Sequence, residues 1–337
     1  MCLEKIVKSY SAGIVPQKSF NLENQQKVEK SYRAMGGQFT FMCYPQNFHT
    51  VKEVLTIFDA AFTEVKRIED KFTDFKESPF NQINKLAGVK PCKVDQEIFD
   101  LVQIAQGISE KSNGLFDISY ASVGHAWRNA KNLGLPFENT ERKKLREFVD
   151  YKKIVMDSNE CSIYLPYPEM RIGLGGIGKG YAVDCAFKVL KEAGLYNFYV
   201  NGSGDIRVHS SASAPRMWKI GIRNPLSSDP SKSVGVIQMA NGAVATSGGY
   251  VHKVKNSDEK PDHHIVDPET GRSRDGIIAS TILADNCLES DTAATVVMNL
   301  SGDEGREYLN QNELFGVVIN REGETFLSQK AQNSFGI

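Results

Sequence analysis

The segment Gly173-Leu174-Gly175-Gly176-Ile177-Gly178-Lys179-Gly180-Tyr181-Ala182-Val183-Asp184 constrains this chain more than any other: five of its first eight residues are glycine. Glycines let backbone N–H groups approach a ligand closely, and the following residues predict a helix from about Ile177 to Ala193 that stops at Gly194. A glycine loop opening a helix suits an anion, because the first-turn amides and the helix dipole both favour negative charge. Two motifs compete for it. The loop satisfies G-x-G-x-x-G at Gly173, Gly175 and Gly178, the dinucleotide fingerprint, but Pro166 and Pro168 stand where that motif needs a central parallel strand. It also nearly matches a P-loop, except that Gly180 stands where a magnesium-binding Ser or Thr belongs. A glycine-rich turn with no ligand stays open as a third possibility, weighed against by Lys179.

Elsewhere Val51, Val54, Leu55, Phe58, Phe62, Val65 and Ile68 recur at three- and four-residue steps, predicting an amphipathic helix from Thr50. Further helices are expected over Asp95 to Lys111 and Leu288 to Leu300, with a loop and a short helix over Phe72 to Asn84. Strands are expected at 38–44, 153–156, 162–165, 198–201, 205–209, 218–222, 234–239, 243–246 and 315–319, and a long polar loop at Asn224 to Ser233. Strands in series with inserted helices favour an α+β fold over a regularly alternating parallel sheet. Residues 1–34, polar and weakly patterned, are expected to form an extension to a single domain at 35–337.

With 40 basic and 41 acidic residues, the chain lacks the basic block needed to neutralise many phosphates, which argues against a nucleic-acid partner. No apolar run is long enough to span a membrane. Six widely spaced cysteines contain no C-x-x-C pair, so thiols in a reducing compartment are expected. Glu4, Lys5 and Lys8 interrupt any signal-peptide core, which points to the cytoplasm as the chain is written. Cys2 raises the alternative of a periplasmic or membrane-anchored lipoprotein whose export segment was removed.

The stretch GLGGIGKGYAVDCAFKVLKEAGLYNFYVNGSGDIRV resembles the central motif of the ApbE family, the FAD:protein FMN transferases, with its D-L-G-G-I-A-K-G-Y-A-x-D loop and its strand ending in G-G-D-I. Further blocks follow in family order: Met35-Gly36, Phe72-Thr73-Asp74-Phe75 with Ser78 to Asn84, Gly114-Leu115-Phe116-Asp117, Ala245-Thr246-Ser247-Gly248-Gly249-Tyr250, and His263-His264-Ile265-Val266-Asp267-Pro268-Glu269-Thr270-Gly271. The resemblance spans about Met35 to Leu300. It implies mixed sheets with packed helices enclosing an FAD cleft, and transfer of FMN from FAD, with release of AMP, to a Thr or Ser of an acceptor protein bearing a D/S-G-A-T/S-type site.

The same resemblance implies roles. Asp291 and Thr295, four residues apart on one helix face, with the Gly178 carbonyl, would hold Mg2+. His264 would be the catalytic imidazole beside Lys179 and Asp291, with His263 its less certain neighbour. Met35 and Phe75 would border the isoalloxazine ring. Gly175, Gly176, Lys179 and Asp184 would serve the phosphate and adenosine end, and Thr246, Ser247 and Gly248 the adenosine pocket. Asp267 is expected to cap a turn. Two departures stand out: Phe75 replaces the usual Tyr, and Gly173 replaces the acid that opens the family loop. They leave open an FAD-binding or FAD-hydrolysing protein without transfer activity.

Overall fold

The computed structural model describes residues 27–45, 49–212, 215–249, 253–255 and 261–335, with backbone alone for 253–255, 261 and 335. Residues 1–26, Cys2 among them, and Tyr250 lie outside these residues. Strands run β1 Val28–Ala34, β2 Gly37–Cys43, β3 Cys92–Lys93, β4 Val155–Asp157, β5 Ser162–Tyr164, β6 Phe198–Gly202, β7 Asp205–His209, β8 Trp218–Arg223, β9 Ser233–Met239, β10 Gly242–Gly248, β11 Lys253–Lys255, β12 Pro261–His263, β13 Ile277–Ala284, β14 Phe315–Asn320 and β15 Thr325–Leu327. Helices run α1 Val51–Phe72, α2 Asn81–Lys85, α3 Gln96–Lys111, α4 Ala121–Leu133, α5 Asn139–Arg146, α6 Gly178–Glu192, α7 Cys287–Val297, α8 Gly302–Gln311 and α9 Gln329–Phe335.

The main sheet has the order β1-β2-β6-β7-β10-β13-β14-β15. Every neighbouring pair in it is antiparallel. That pattern excludes the parallel βαβ unit of a Rossmann site, and Leu165 to Ile177 enters α6 without forming a strand.

Alternation along the strands divides the side chains between two cores. Phe39, Phe41, Phe198 and Val200 pack with Val54, Phe58, Val65 and Ile68 of α1 and Val183, Ala186 and Leu190 of α6. On the other face Val208, Val244 and Val317 meet Trp218, Ile220, Ile237 and Met239 of the β8–β9 hairpin. The buried α1 stripe contains Val54, Phe58, Val65 and Ile68 of the predicted face together with Ala61 and Phe72, while Val51 is exposed, and Thr50 and Glu53 close the helix start as a capping box.

Two expectations change. Residues 28–34 belong to the fold, because β1 pairs with β2 along its whole length and Val28 and Ala34 are buried. Strand β13 was not expected: Ile277–Ala284 is buried on both faces, so it lacks the alternation that marks a half-exposed strand. Helices α4, α5 and α8 were likewise unforeseen.

Candidate active site

The glycine loop is best described by what surrounds each glycine. Upstream, Asn84 clamps the approach: its Nδ2 donates to the Ile172 carbonyl at 2.9 Å and its Oδ1 accepts from the Ile172 amide at 2.8 Å. The Gly173 amide then donates to the Ile118 carbonyl at 2.9 Å. A Cβ on Gly173 would lie 2.5 Å from Asp74 Oδ2, and one on Gly175 would strike the Tyr120 hydroxyl. At Gly176 it would meet Thr295 Oγ1 at 3.1 Å and Phe116 at 3.2 Å, and at Gly178 the Met35 methyl at 3.7 Å. At Gly180 it would sit 2.5 Å from the Cys287 carbonyl oxygen and 2.9 Å from Asp291 Cβ. Sequence blocks that span more than half of the chain thus converge on one loop.

Gly180 explains the failed P-loop match. There is no room for a hydroxyl-bearing side chain where the α6 backbone meets the Cys287 carbonyl and Asp291 Cβ of α7. Its amide donates to Asp291 Oδ2 at 3.0 Å, so a carboxylate from α7 caps the start of α6, where Ile177 offers no side-chain cap. Asp291 is buried, and this bond leaves its Oδ1 as the atom for a cation. Thr295 Oγ1 stands 3.1 Å from where a Gly176 Cβ would be, and oxygen atoms of the Asp291 and Thr295 kind are the donors Mg2+ prefers. Among the described residues no group of three or more His, Cys, Asp or Glu side chains is arranged to hold a metal ion.

Lys179 is paired with Asp205 of β7, a buried carboxylate inside the G-S-G-D-I segment. Burial lowers the lysine pKa, but the charges of Asp205 and Asp291 outweigh it and the net shift is upward, so the side chain is a fixed cation. Burial, then the Asp291 charge, raises the Asp205 pKa, with Lys179 pulling the other way. Asp205 and Asp291 set two carboxylates against the one ammonium of Lys179, so this cluster is short of positive charge, which a divalent cation would supply.

Asp184, expected at the nucleotide, is held within the fold by three hydrogen bonds. Its Oδ1 accepts from Arg207 Nη1 at 2.7 Å and the Cys287 amide at 2.9 Å, and its Oδ2 accepts from the Leu288 amide at 2.9 Å. All three donors belong to the fold, and the carboxylate braces α6 against the positive end of α7.

Met35 and Gly36 form the two-residue β1–β2 turn, both with positive φ (52° and 74°), and Glu69 Oε1 accepts from the Met35 amide at 2.5 Å. A methionine in this conformation is unusual, and here it places the thioether against the loop. Phe75 is 61% exposed, with the Arg128 guanidinium 3.7 Å from its ring centre and His125 stacked at 5.7 Å.

Thr246, Ser247 and Gly248 lie at the end of β10 opposite Thr281, Ser280 and Ala279. The next residue, Gly249, abuts the His263 ring. His263 is buried, its Nε2 within 3.0 Å of the Arg274 carbonyl and its Nδ1 accepting from the Ile265 amide, and burial lowers its pKa. His264 is exposed. The pair therefore divides into an inner imidazole tied to backbone and an outer one facing solvent. Asp267 caps its turn by accepting from the Glu269 amide, Thr270 Oγ1 and Arg274 Nε. Arg142 and Arg146 of α5 donate to the Thr270 and Glu269 carbonyls and hold this turn from outside.

The ApbE family model matches residues 35–319. This chain belongs to the ApbE family. A FAD:protein FMN transferase of Klebsiella pneumoniae is 27% identical over 278 residues, which cover 81% of this chain and 85% of that protein. One from Vibrio cholerae is 24% identical, covering 81% and 83%. Among solved structures, the ApbE protein of Thermotoga maritima aligns with a TM-score of 0.82 at 26% identity, covering 92% of this chain and 99% of that one. The flavin transferase ApbE of Vibrio cholerae aligns at 0.75 and shares the fold at 22% identity. The α+β architecture is therefore that of ApbE proteins. Asp74, Glu69, Tyr120, His125, Arg128 and Asp205 are the site neighbours that spacing alone did not single out. Asp74 and Asp205 lie inside the segments that carry the family resemblance; the others have no signal in the one-dimensional pattern.

Proposed function

We propose that this ApbE-family chain transfers FMN from FAD to a Thr or Ser hydroxyl of an acceptor protein, releasing AMP. The observation that supports it most is the meeting of Met35, Asp74, Phe116, Lys179, Asp291 and Thr295 around one anion-binding loop, in a chain whose relatives are named FAD:protein FMN transferases.

The loop and the first turn of α6 would take the pyrophosphate, with Lys179 adding a fixed positive charge. Asp291, Thr295 and the Gly178 carbonyl would hold Mg2+, which when bound offsets negative charge on the pyrophosphate. His264, solvent-facing, would accept the proton of the incoming hydroxyl. The hydroxyl oxygen bonds to the FMN-side phosphorus, the bond from that phosphorus to the bridging oxygen breaks, and AMP leaves with that oxygen. Phe75 and Met35 would contact the flavin ring and set its orientation.

Incubation with FAD, Mg2+ and an acceptor domain carrying a D/S-G-A-T/S-type site tests this. Covalent flavin fluorescence on the acceptor with stoichiometric AMP is expected. AMP without labelled acceptor would mean FAD hydrolysis, and FAD left intact would mean a binding protein; either result overturns the proposal. Asp291→Ala should abolish Mg2+-dependent turnover.

A further inference from the structure

The acid that opens the family loop is replaced by Gly173, yet the space beside Gly173 already contains a carboxylate. Asp74, in the turn after α1, puts Oδ2 2.5 Å from where a Gly173 Cβ would stand, so a side chain at 173 and the present Asp74 exclude each other. Asp74 is 8% exposed, and its Oδ2 lies 2.7 Å from His125 Nε2 of α4. Ser78 Oγ, bonded to the Thr73 carbonyl at 2.6 Å, fixes the turn that carries it. Among the described residues Oδ1 makes no hydrogen bond. Arg128, one turn along α4 from His125, lays its guanidinium over the ring of Phe75, the residue after Asp74, 3.7 Å from the ring centre, and its Nη1 is buried without a hydrogen-bond partner among the described residues. A buried guanidinium nitrogen with no acceptor is costly. A ligand oxygen would satisfy it.

We infer that Asp74 supplies, from a different chain segment, the carboxylate missing at 173, and that with Arg128 it binds one heterocycle of FAD. The match is a planar ring edge bearing an N–H for the carboxylate beside an acceptor atom for the guanidinium, with the ring laid next to Phe75 and the Arg128 plane. Both heterocycles of FAD, the isoalloxazine and the adenine, have edges with nitrogen-bound hydrogen beside an acceptor. His125 fixes the orientation of Asp74 and so acts as a positioning residue. The inference rests on the proposed use of FAD, but concerns binding and not transfer.

A carboxylate exchange tests it. FAD binding is measured by flavin fluorescence quenching for the wild type, Asp74→Ala, Gly173→Asp and the double variant, each checked for an unchanged melting profile. Losing a hydrogen bond to a charged acceptor should weaken FAD binding about 10- to 100-fold in Asp74→Ala. Gly173→Asp alone should also bind poorly, because two carboxylates cannot share the space. The double variant should recover to within a few-fold of the wild type, which a merely structural role for Asp74 would not produce. Asp74→Asn, nearly isosteric, gives the same answer if Asp74→Ala does not fold. Riboflavin and AMP used as separate ligands locate the contact: a loss confined to one of them supports the assignment and names the heterocycle. Equal losses for both, wild-type affinity in Asp74→Asn, or a double variant no better than its weaker parent would overturn it. A wild type that binds FAD but labels no acceptor would sink the transferase function and leave this site standing.

Discussion

Restoring the P-loop hydroxyl at position 180 should damage this protein. In Gly180→Ser the new Cβ would lie 2.5 Å from the Cys287 carbonyl oxygen and 2.9 Å from Asp291 Cβ. An ordinary contact begins near 3.4 Å, so α7 would have to retreat by about 0.9 Å at the first point. Neither obstacle is the far end of a flexible side chain. The retreat lengthens the Gly180 amide bond to Asp291 Oδ2 beyond hydrogen-bond range and leaves a buried carboxylate short of one donor. Overpacking of this kind costs about 1–3 kcal/mol and the lost bond to a charged group about 1.5–3 kcal/mol. The two are coupled, so a total of about 3–5 kcal/mol is expected. Urea unfolding followed by circular dichroism measures it. Gly107→Ala is the internal control: it too is a helical glycine, but its Cβ meets nothing within 4 Å, and the change should stabilise by about 0.5–1 kcal/mol. If Gly180→Ser loses less than about 1 kcal/mol, the α6–α7 approach does not dictate that glycine and the argument fails.

Three further outcomes follow from the same packing. Asp184→Ala should cost about 2–3 kcal/mol, because Arg207 and two α7 amides lose a partly buried charged acceptor, and thermal unfolding should show it even with no FAD present. Glu97 binds Arg67 in a two-pronged pair, together with Lys71 and Tyr181, and Arg67 above all holds its pKa down at about 2. Its folded pKa lies below the unfolded value near 4.3, so its contribution of about 1–2 kcal/mol is present above that pH and is lost as pH falls toward 2. The stability gap between wild type and Glu97→Gln should therefore close on acidification; a gap constant down to pH 2 would contradict the assignment. Phe58→Ala, at the centre of the α1–sheet core, should cost about 3–5 kcal/mol in the same assay.

Local pattern carries far in this chain, but unevenly. The α1 stripe, the Asp95 cap of α3 and the α6 start are legible because each depends on residues within a turn or two. Strand β13 is not, because burial on both faces erases alternation, and β1 is not, because its polar outward side chains hide a strand that only pairing with β2 makes. At the site, His264 and His263 are indistinguishable as adjacent letters. Burial, the two backbone hydrogen bonds and the Gly249 backbone pressed against its ring assign the inner role to His263.

Asp184 and Asp74 show the same division in opposite directions. The sequence by itself determined the glycine loop that opens α6, the helix that carries Asp291 and Thr295 four residues apart, and the family that such blocks resemble, since glycine conformation and helix periodicity act over a few residues. Which carboxylate stands against the loop and which braces a helix is a matter of through-space distance. Asp184 lies next to the loop in sequence but spends its oxygens on Arg207 and α7, whereas Asp74, about a hundred residues away, stands where a side chain at 173 would be. Hydrogen bonds and steric exclusion fall off within a few ångströms, so only the tertiary structure could decide between them.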